Sequence, residues 1–381
     1  IYFIGQKGIP AKFGGIERHV EELSVRLSDM GHEVFVYTRP NYTPSDLKKY
    51  RGVNLICLSG FSTKNFDTIT HTFRACIDVI RKRDADIIHF HSIGPASLIW
   101  IVKLFKPNTA VLATFHSRCY LHKKWGFFAK AYLKFGEFMA CKAPERTITV
   151  SRSLAKYAGE KYRVNTEYIP NGVPLFKKRE PDEIRKWGLE TDNYILAVSR
   201  LIGHKGLHFL IEAYKNIVTD KKLVIVGDGV HSEKYVARLH NLSEGNSNII
   251  FTGGQTGKIL EELYSNAYLF VQPSESEGLS IALLEAMAYE NPALASDIEE
   301  NKEAAGDDGL YFRSKDVSDL QKKLEWALEN SLSLKNGGIL NRKRAEKFYN
   351  WDEIAKNTAD VYKEVILSRQ VGELGVKKIR N

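Results

Sequence analysis

The 381-residue sequence predicts an α/β protein of two doubly wound parallel sheets, each covered by helices, with a cleft between the two units. Three observations carry this. Short β-branched or apolar runs alternate with longer stretches of helical period. The alternation restarts after Ile169-Pro170-Asn171-Gly172-Val173. Glycine-rich turns follow strand-like segments in both halves.

The first series places strands near 1–5, 33–38, 53–58, 86–91, 110–115 and 146–150. The first helix is the clearest, because Ile16, Val20, Leu23, Leu27 and Met30 recur at alternating steps of four and three and form one apolar stripe. Gly31 follows as a stop signal. The second series places strands near 193–198, 222–227, 248–252, 268–272, 292–296 and 309–312. Pro174 to Asp192 is charged and irregular, and is the most linker-like segment. From Trp351 to about Leu367 the chain reads as an amphipathic helix with Ile354, Thr358, Val361 and Val365 in one row. The first domain is thus 1–172, the second 173–351, and a C-terminal helix at about 352–381 packs back on the first.

Composition narrows the function classes. With 43% hydrophobic, 27% charged and 11% aromatic residues the chain is globular, not collagenous, coiled-coil or disordered. The longest apolar stretch, Ile87 to Phe105, contains His89, His91, Gly94-Pro95 and Lys103, which rules out a bilayer span. The four cysteines, Cys57, Cys76, Cys119 and Cys141, form no Cys-x-x-Cys pair and fit free thiols in a reducing compartment. Ile1-Tyr2-Phe3-Ile4 is strand-like and unlike a secretory leader, so a cytoplasmic location is expected. The net charge of +9 is uneven, +12 over residues 1–170 and −3 over 171–381, so the first half is expected to meet something anionic.

Several segments bear residue types suited to phosphate or sugar chemistry. Gly5-Gln6-Lys7-Gly8 through Gly14-Gly15-Ile16-Glu17 leads a strand into a helix N-terminus, where free N–H groups and the helix dipole attract anions. It lacks the Gly-x-Gly-x-x-Gly dinucleotide pattern, and a plain connection explains the glycines equally well. Gly227-Asp228-Gly229 reads as a tight turn, and Gly254-Gln255-Thr256-Gly257-Lys258-Ile259 mimics a phosphate loop without the hydroxyl residue that a magnesium ion needs. Arg200 and Lys205, near another strand end, form a cation pair able to clamp a diphosphate, although a solvated loop has the same spacing. In Gln272 to Ala288, Glu277 precedes a helix start and Glu285 lies more than one turn into it; both can face one ligand, with the N–H groups of Leu279 and Ser280 between them. Solvated surface acids would look alike. His91 ends a buried-looking strand and can reach the carboxyl edge of its sheet, or be a structural histidine.

Taken together, these segments resemble the retaining glycosyltransferases of family four, which have the GT-B fold of two Rossmann-like domains. The match runs through Gly14-Gly15-Ile16-Glu17, Gly31-His32-Glu33-Val34, Asp86 to His91, Val150-Ser151, Ile169 to Val173, Ser199-Arg200 with Lys205-Gly206, Val226 to Gly229, Pro273-Ser274 and Glu277 to Ala288. The opening Gly8 to Gly15 further resembles bacterial transferases of surface-polysaccharide assembly. The resemblance implies a first domain that binds the acceptor and a second that binds a UDP-, GDP- or TDP-linked sugar. It implies that Arg200 and Lys205 hold the diphosphate, that Glu285 takes the ribose and Glu277 the donor sugar. Gly278, Leu279 and Ser280 would meet sugar or phosphate oxygens, Gly253 and Gln255 would lie at the base, and Gly14 and Gly15 against the diphosphate across the cleft. His91 would stand beside the transferred sugar. It implies no metal and no cofactor beyond the nucleotide sugar, with front-face attack by the acceptor hydroxyl. Leu279-Ser280 replaces the Phe-Gly of many members, which alters the surroundings of the donor sugar.

On the acceptor side, Arg118 to Phe135 interleaves His122, Lys123, Lys124, Lys130 and Lys134 with Tyr120, Trp125, Phe127, Phe128, Tyr132 and Phe135. Such a helix can lie on an anionic membrane, with Lys123, Lys124, Trp125 and Lys130 facing it, or bury its aromatics in the core. A GT-B phosphorylase or a sugar-nucleotide epimerase is a neighbouring enzyme reading. A basic polyanion or nucleic-acid binder without transferase activity is the reading from another class, and only the first-half charge supports it.

Overall fold

The computed structural model describes residues 1–12, 14–61, 67–121, 126–229, 232–307 and 309–379, with the backbone alone for Leu121 and 372–379. The chain divides into two compact units, Ile1–Asn171 joined by the segment that starts at Trp351, and Gly172–Asn350.

The first unit holds β1 (Tyr2–Ile4), α1 (Gly15–Asp29), β2 (Phe35–Thr38), β3 (Lys49–Tyr50), β4 (Val53–Cys57), α2 (Asp67–Arg81), β5 (Ile87–His91), α3 (Ile93–Ala96), α4 (Ile99–Phe105), β6 (Ala110–Phe115), α5 (Phe127–Lys142), β7 (Arg146–Thr149), α6 (Arg152–Tyr162) and β8 (Glu167–Tyr168). Its sheet has the order β3-β4-β2-β1-β5-β6-β7-β8, parallel except for the β3–β4 pairing. The short edge strands β3 and β8 were not foreseen, because two residues carry no period. The order reverses between β1 and β5, so the loops after these two strands diverge and open a crevice at their carboxyl ends.

The second unit holds β9 (Tyr194–Val198), α7 (Leu207–Tyr214), β10 (Lys222–Val226), α8 (Glu233–Ser243), β11 (Ile249–Gly253), α9 (Gly257–Ser265), β12 (Leu269–Gln272), α10 (Ile281–Ala288), β13 (Ala293–Ser296), α11 (Glu299–Ala305), β14 (Leu310–Phe312), α12 (Val317–Glu329) and α13 (Ser331–Phe348). All its strands are parallel, in the order β11-β10-β9-β12-β13-β14, with the switch between β9 and β12. The linker-like stretch before β9 folds onto this unit: Lys258 bridges to Asp182 at 2.6 Å, so this lysine is structural and not that of a phosphate loop.

The last helix, α14 (Trp351–Ile379), returns to the first unit, where Trp351, Ile354, Ala355, Val361, Tyr362 and Val365 join the core of Phe3, Val20, Leu23 and Leu112. The predicted row on α14 and three of the five stripe residues on α1 are buried, at about 1.5–3 kcal/mol for each large apolar side chain. Met30 is an exception. It caps α1 and is 45% exposed, because the helix ends before it can turn inward. All four cysteines are free thiols; burial pushes Cys76 and Cys141 up to about 12, which makes both inert at neutral pH.

His71 on α2 is buried, and its Nε2–H donates to the Thr38 carbonyl at 3.2 Å. Burial, reinforced by the Arg39 charge, holds this imidazole at about 4, below the ordinary 6.5. The unfolded chain therefore takes up a proton that the folded chain refuses. Stability from this group is complete above pH 6.5 and falls as pH drops toward 4, by about 1.4 kcal/mol per pH unit. Replacing His71 by Gln is expected to remove that contribution from the pH dependence of urea unfolding between about pH 7 and pH 5; an unchanged slope would show His71 protonated in the native state.

Candidate active site

The switch point of the second sheet brings together two of the segments singled out in the sequence. The loop after β9 carries Arg200 and Lys205, and the loop after its neighbour β12 carries Glu277 to Ser280. Lys205 Nζ and Glu277 Oε1 are 2.5 Å apart, with side chains only 13% and 9% exposed. Gln272 Nε2 and Ser274 Oγ donate to the same Oε1 at 2.8 and 2.6 Å. Oε2 accepts nothing from any described residue. The carboxylate is thus clamped through one oxygen and presents the other. Ser274 is itself fixed, since its carbonyl accepts from Ser296 Oγ at 2.5 Å. Arg200 is exposed, and its guanidinium has no partner among the described residues.

The approach of the two loops depends on glycine. Gly206 adopts φ +70°, and a Cβ there would lie 1.9 Å from the Pro273 carbonyl oxygen. Gly227, at the end of β10, has φ +140° and would meet the Ser199 carbonyl at 1.8 Å, so the loop carrying Arg200 packs directly on the neighbouring turn.

Ser280 caps α10 through its side chain, which accepts from Leu283 N at 3.4 Å. Gly278, Leu279 and Ser280 are buried just before the helix. Glu285, half-buried on α10, accepts from Tyr264 Oη at 3.2 Å. Gly253 ends β11 and lines an open cavity of about 640 Å³ with Leu201, Gly227, Asp228, His240 and Phe251. Gln255 beside it donates to the Thr252 carbonyl at 2.6 Å. A concave, largely apolar pocket next to the cation-bearing loop has the character of a base site beside a phosphate site.

In the first unit, Gly14 is the N-cap of α1 and Gly15 its first residue. His91 does not stand open at the sheet edge. It is fully buried, packed on Phe3, His89 and His116, with Nδ1 3.2 Å from His116 Nε2. Its ring packs on these neighbours, and the contact with a transferred sugar stays as what the resemblance implies. His19 completes the group, its Nδ1 2.9 Å from Asn171 Oδ1. Burial, with the neighbouring rings adding, keeps His91 and His116 well below the ordinary imidazole range, and burial holds His19 at about 4. His19 Nε2 and His91 Nε2 are buried without a hydrogen-bond partner among the described residues, at a cost of about 1–3 kcal/mol each.

Sequence reasoning did not single out His19, His116 or Tyr264, and it gave Gln272 and Ser274, which lie in segments it named, no role. For His116 a signal existed: it follows β6 as His91 ends β5, and the two strands pair with His91 opposite Thr114. On the proposed acceptor side, Lys123, Lys124 and Trp125 lie outside the described residues. Lys130 is exposed on α5, and the aromatics divide: Phe127 and Phe128 are 80% and 87% exposed, whereas Tyr120 is buried.

Residues 179–372 match the family described as Glycosyl transferases group 1, and residues 13–176 match Glycosyltransferase Family 4. An uncharacterized glycosyltransferase of Methanocaldococcus jannaschii is 25% identical over 92% of this chain and 95% of its own. The alpha-monoglucosyldiacylglycerol synthase of Streptococcus pneumoniae is 24% identical over 74% of this chain and 67% of its own. The crystal structure of Anabaena HepE in complex with UDP-glucose superposes with a TM-score of 0.77 at 17% identity, covering 95% of this chain and 99% of that one. This likeness shows the fold.

Replacing Gly206 by Ala is expected to lower stability by about 1–3 kcal/mol, because the added methyl meets backbone and φ is left-handed. Thermal unfolding measures it; a melting temperature equal to that of the parent chain would mean that the Lys205 loop does not need this approach.

Proposed function

Since the chain belongs to the glycosyl transferases of group 1 and to glycosyltransferase family 4, we propose that it moves a hexosyl group from a nucleoside diphosphate sugar to a glycan or lipid-linked acceptor, with retention of configuration and no metal at the diphosphate. A polyanion binder without transferase activity is set aside with that membership. The observation that carries the donor side is the clamped carboxylate: Glu277 is held through Oε1 by Lys205, Gln272 and Ser274, and the exposed Arg200 on the same loop as Lys205 has no partner among the described residues.

Each group then has a task suited to its chemistry. Arg200 offers a planar fork of donors to the diphosphate, and Lys205 keeps two further N–H donors after serving Glu277. Together they stabilise the charge that grows on the departing nucleoside diphosphate, which otherwise falls to a cation. Glu277 Oε2 accepts from sugar hydroxyls. Glu285, steadied by Tyr264, accepts from the ribose hydroxyls. The N–H groups at the start of α10 add a partial positive charge for sugar or phosphate oxygens. The bond from the anomeric carbon to the diphosphate oxygen breaks as the acceptor oxygen attacks from the same face, and a phosphate oxygen takes the acceptor proton. No enzymic nucleophile takes part in this scheme.

For the acceptor side we favour an anionic membrane surface at the first unit. Trp100, Leu104 and Phe105 on α4 and Phe127, Phe128, Phe135 and Phe138 on α5 are exposed, with Lys130 and Lys134 among them. Aromatic rings at headgroup depth and lysines toward anionic lipid make a peripheral anchor. Among the described residues no helix is long and apolar enough to cross a membrane. The diacylglycerol-named relative is consistent with a lipid-linked acceptor.

Two experiments follow. Lys205→Ala and Glu285→Ala are each expected to lower kcat/KM at least about a hundredfold, and to abolish the rise in melting temperature that one of UDP, GDP or TDP gives the parent chain without metal; activity within a few-fold of the parent refutes the assignment. In flotation, the chain should rise with anionic vesicles at low salt, and Phe127→Ser with Phe128→Ser should release it; recovery in the soluble fraction with both anionic and neutral vesicles overturns the membrane reading.

A further inference from the structure

Arg118 lies at the carboxyl edge of the first sheet, just after β6, and the scheme above gives it no task. It is half-buried over the Tyr157 ring of α6, its guanidinium carbon 4.6 Å from the ring centre. Among the described residues it has no carboxylate or carbonyl partner. The other arginines that the first unit buries wholly or in part, Arg18, Arg26, Arg39, Arg146 and Arg369, each pair with an acid. We propose that Arg118 binds a phosphate group of the acceptor, so that the acceptor of this chain is a phosphorylated one.

The platform under the guanidinium is fixed. Glu137 on α5 is wholly buried, and its Oε1 accepts from Tyr157 Oη at 2.9 Å, Lys161 Nζ at 2.8 Å and Tyr162 Oη at 2.6 Å. An acid from a neighbouring helix thus locks the ring on which Arg118 rests. A guanidinium stacked by its face keeps the N–H groups of its rim directed outward. Glu137 is not the counter-ion of Arg118, because Lys161 already balances it. Lys134, with Nζ 5.9 Å from the Tyr120 ring, adds a third cation, and Tyr120 joins the same network through a 2.8 Å hydrogen bond with Tyr157.

A half-buried cation has given up part of its water, which costs free energy unless an anion replaces it. The doubly charged phosphate monoester matches the surplus of positive charge and the planar fork better than a single carboxylate does. The plain alternative, a cation–π contact made for stability alone, uses only the face of the guanidinium and leaves its N–H groups without an acceptor. The inference rests on the transferase reading, since it specifies that enzyme's acceptor, but it needs no feature of the donor side. A phosphorylated sugar and a lipid headgroup offer the same group, and the test separates them.

The full chain is titrated calorimetrically with glucose 1-phosphate, glucuronate and methyl α-glucoside, and floated with phosphatidylcholine vesicles with and without phosphatidic acid. The titrations are made in an Arg200→Ala background, so that phosphate held by that exposed arginine does not enter. Arg118→Gln is expected to weaken binding of glucose 1-phosphate, of phosphatidic acid vesicles or of both at least about tenfold, and to leave the response to methyl α-glucoside unchanged. Arg118→Lys, which keeps the charge without the fork, should fall between the two and covers the case in which the glutamine variant fails to fold. A loss confined to glucose 1-phosphate supports a phosphorylated sugar, and one confined to phosphatidic acid supports a lipid headgroup. No binding of either probe by the chain with Arg118 intact, glucuronate bound as tightly as glucose 1-phosphate, or affinity unchanged in a folded Arg118 variant overturns the proposal. A parent chain whose melting temperature ignores UDP, GDP and TDP sinks the donor reading instead, and that measurement does not involve Arg118.

Discussion

The buried pair of Lys205 and Glu277 is the interaction on which the donor side of this protein depends. An ion pair so little exposed to water is costly to form unless further hydrogen bonds satisfy the charges, and Gln272 and Ser274 supply them. The pair bridges the connections that follow two adjacent strands, β9 and β12. It therefore exists only because the sheet reverses its order between them. The left-handed turn at Gly206, against the Pro273 carbonyl, brings the two backbones near enough for it.

The first unit repeats the topology and solves the same crevice differently. Where the second unit gathers opposite charges, the first gathers uncharged imidazoles behind Phe3 and Trp351. Desolvation explains the difference: a buried histidine avoids the cost of charge by staying neutral. The return of α14 is part of that arrangement, because Trp351 and Tyr362 from the far end of the chain pack against His19 and His89.

Much of this was legible in the sequence. Every strand foreseen in both series is present within two residues at each end, since parallel strands buried on both faces read as continuous apolar runs. Glu277 precedes α10 and Glu285 lies on it because Ser280 is a good cap and eight apolar-rich residues follow it. The resemblance also picked out His91, but not the rings that pack on it, which come from β1, from β5 itself and from the residue just after β6. The exposure of Phe127 and Phe128 beside the burial of Tyr120 was equally illegible, because aromatic residues interleaved with lysines have the same pattern in either setting, and Tyr120 lies before α5 and not on it.

The sequence by itself determined the two doubly wound units, the cap and spacing of the two acids, and the cations after the seventh foreseen strand, since local period, capping and turn chemistry act over a few residues. Only the tertiary structure decided which of these groups meet. The Lys205–Glu277 contact joins residues 72 apart, and His19 with Asn171 residues 152 apart. Such pairings follow from strand order and from the direction in which buried side chains pack, and no local pattern in the chain encodes either.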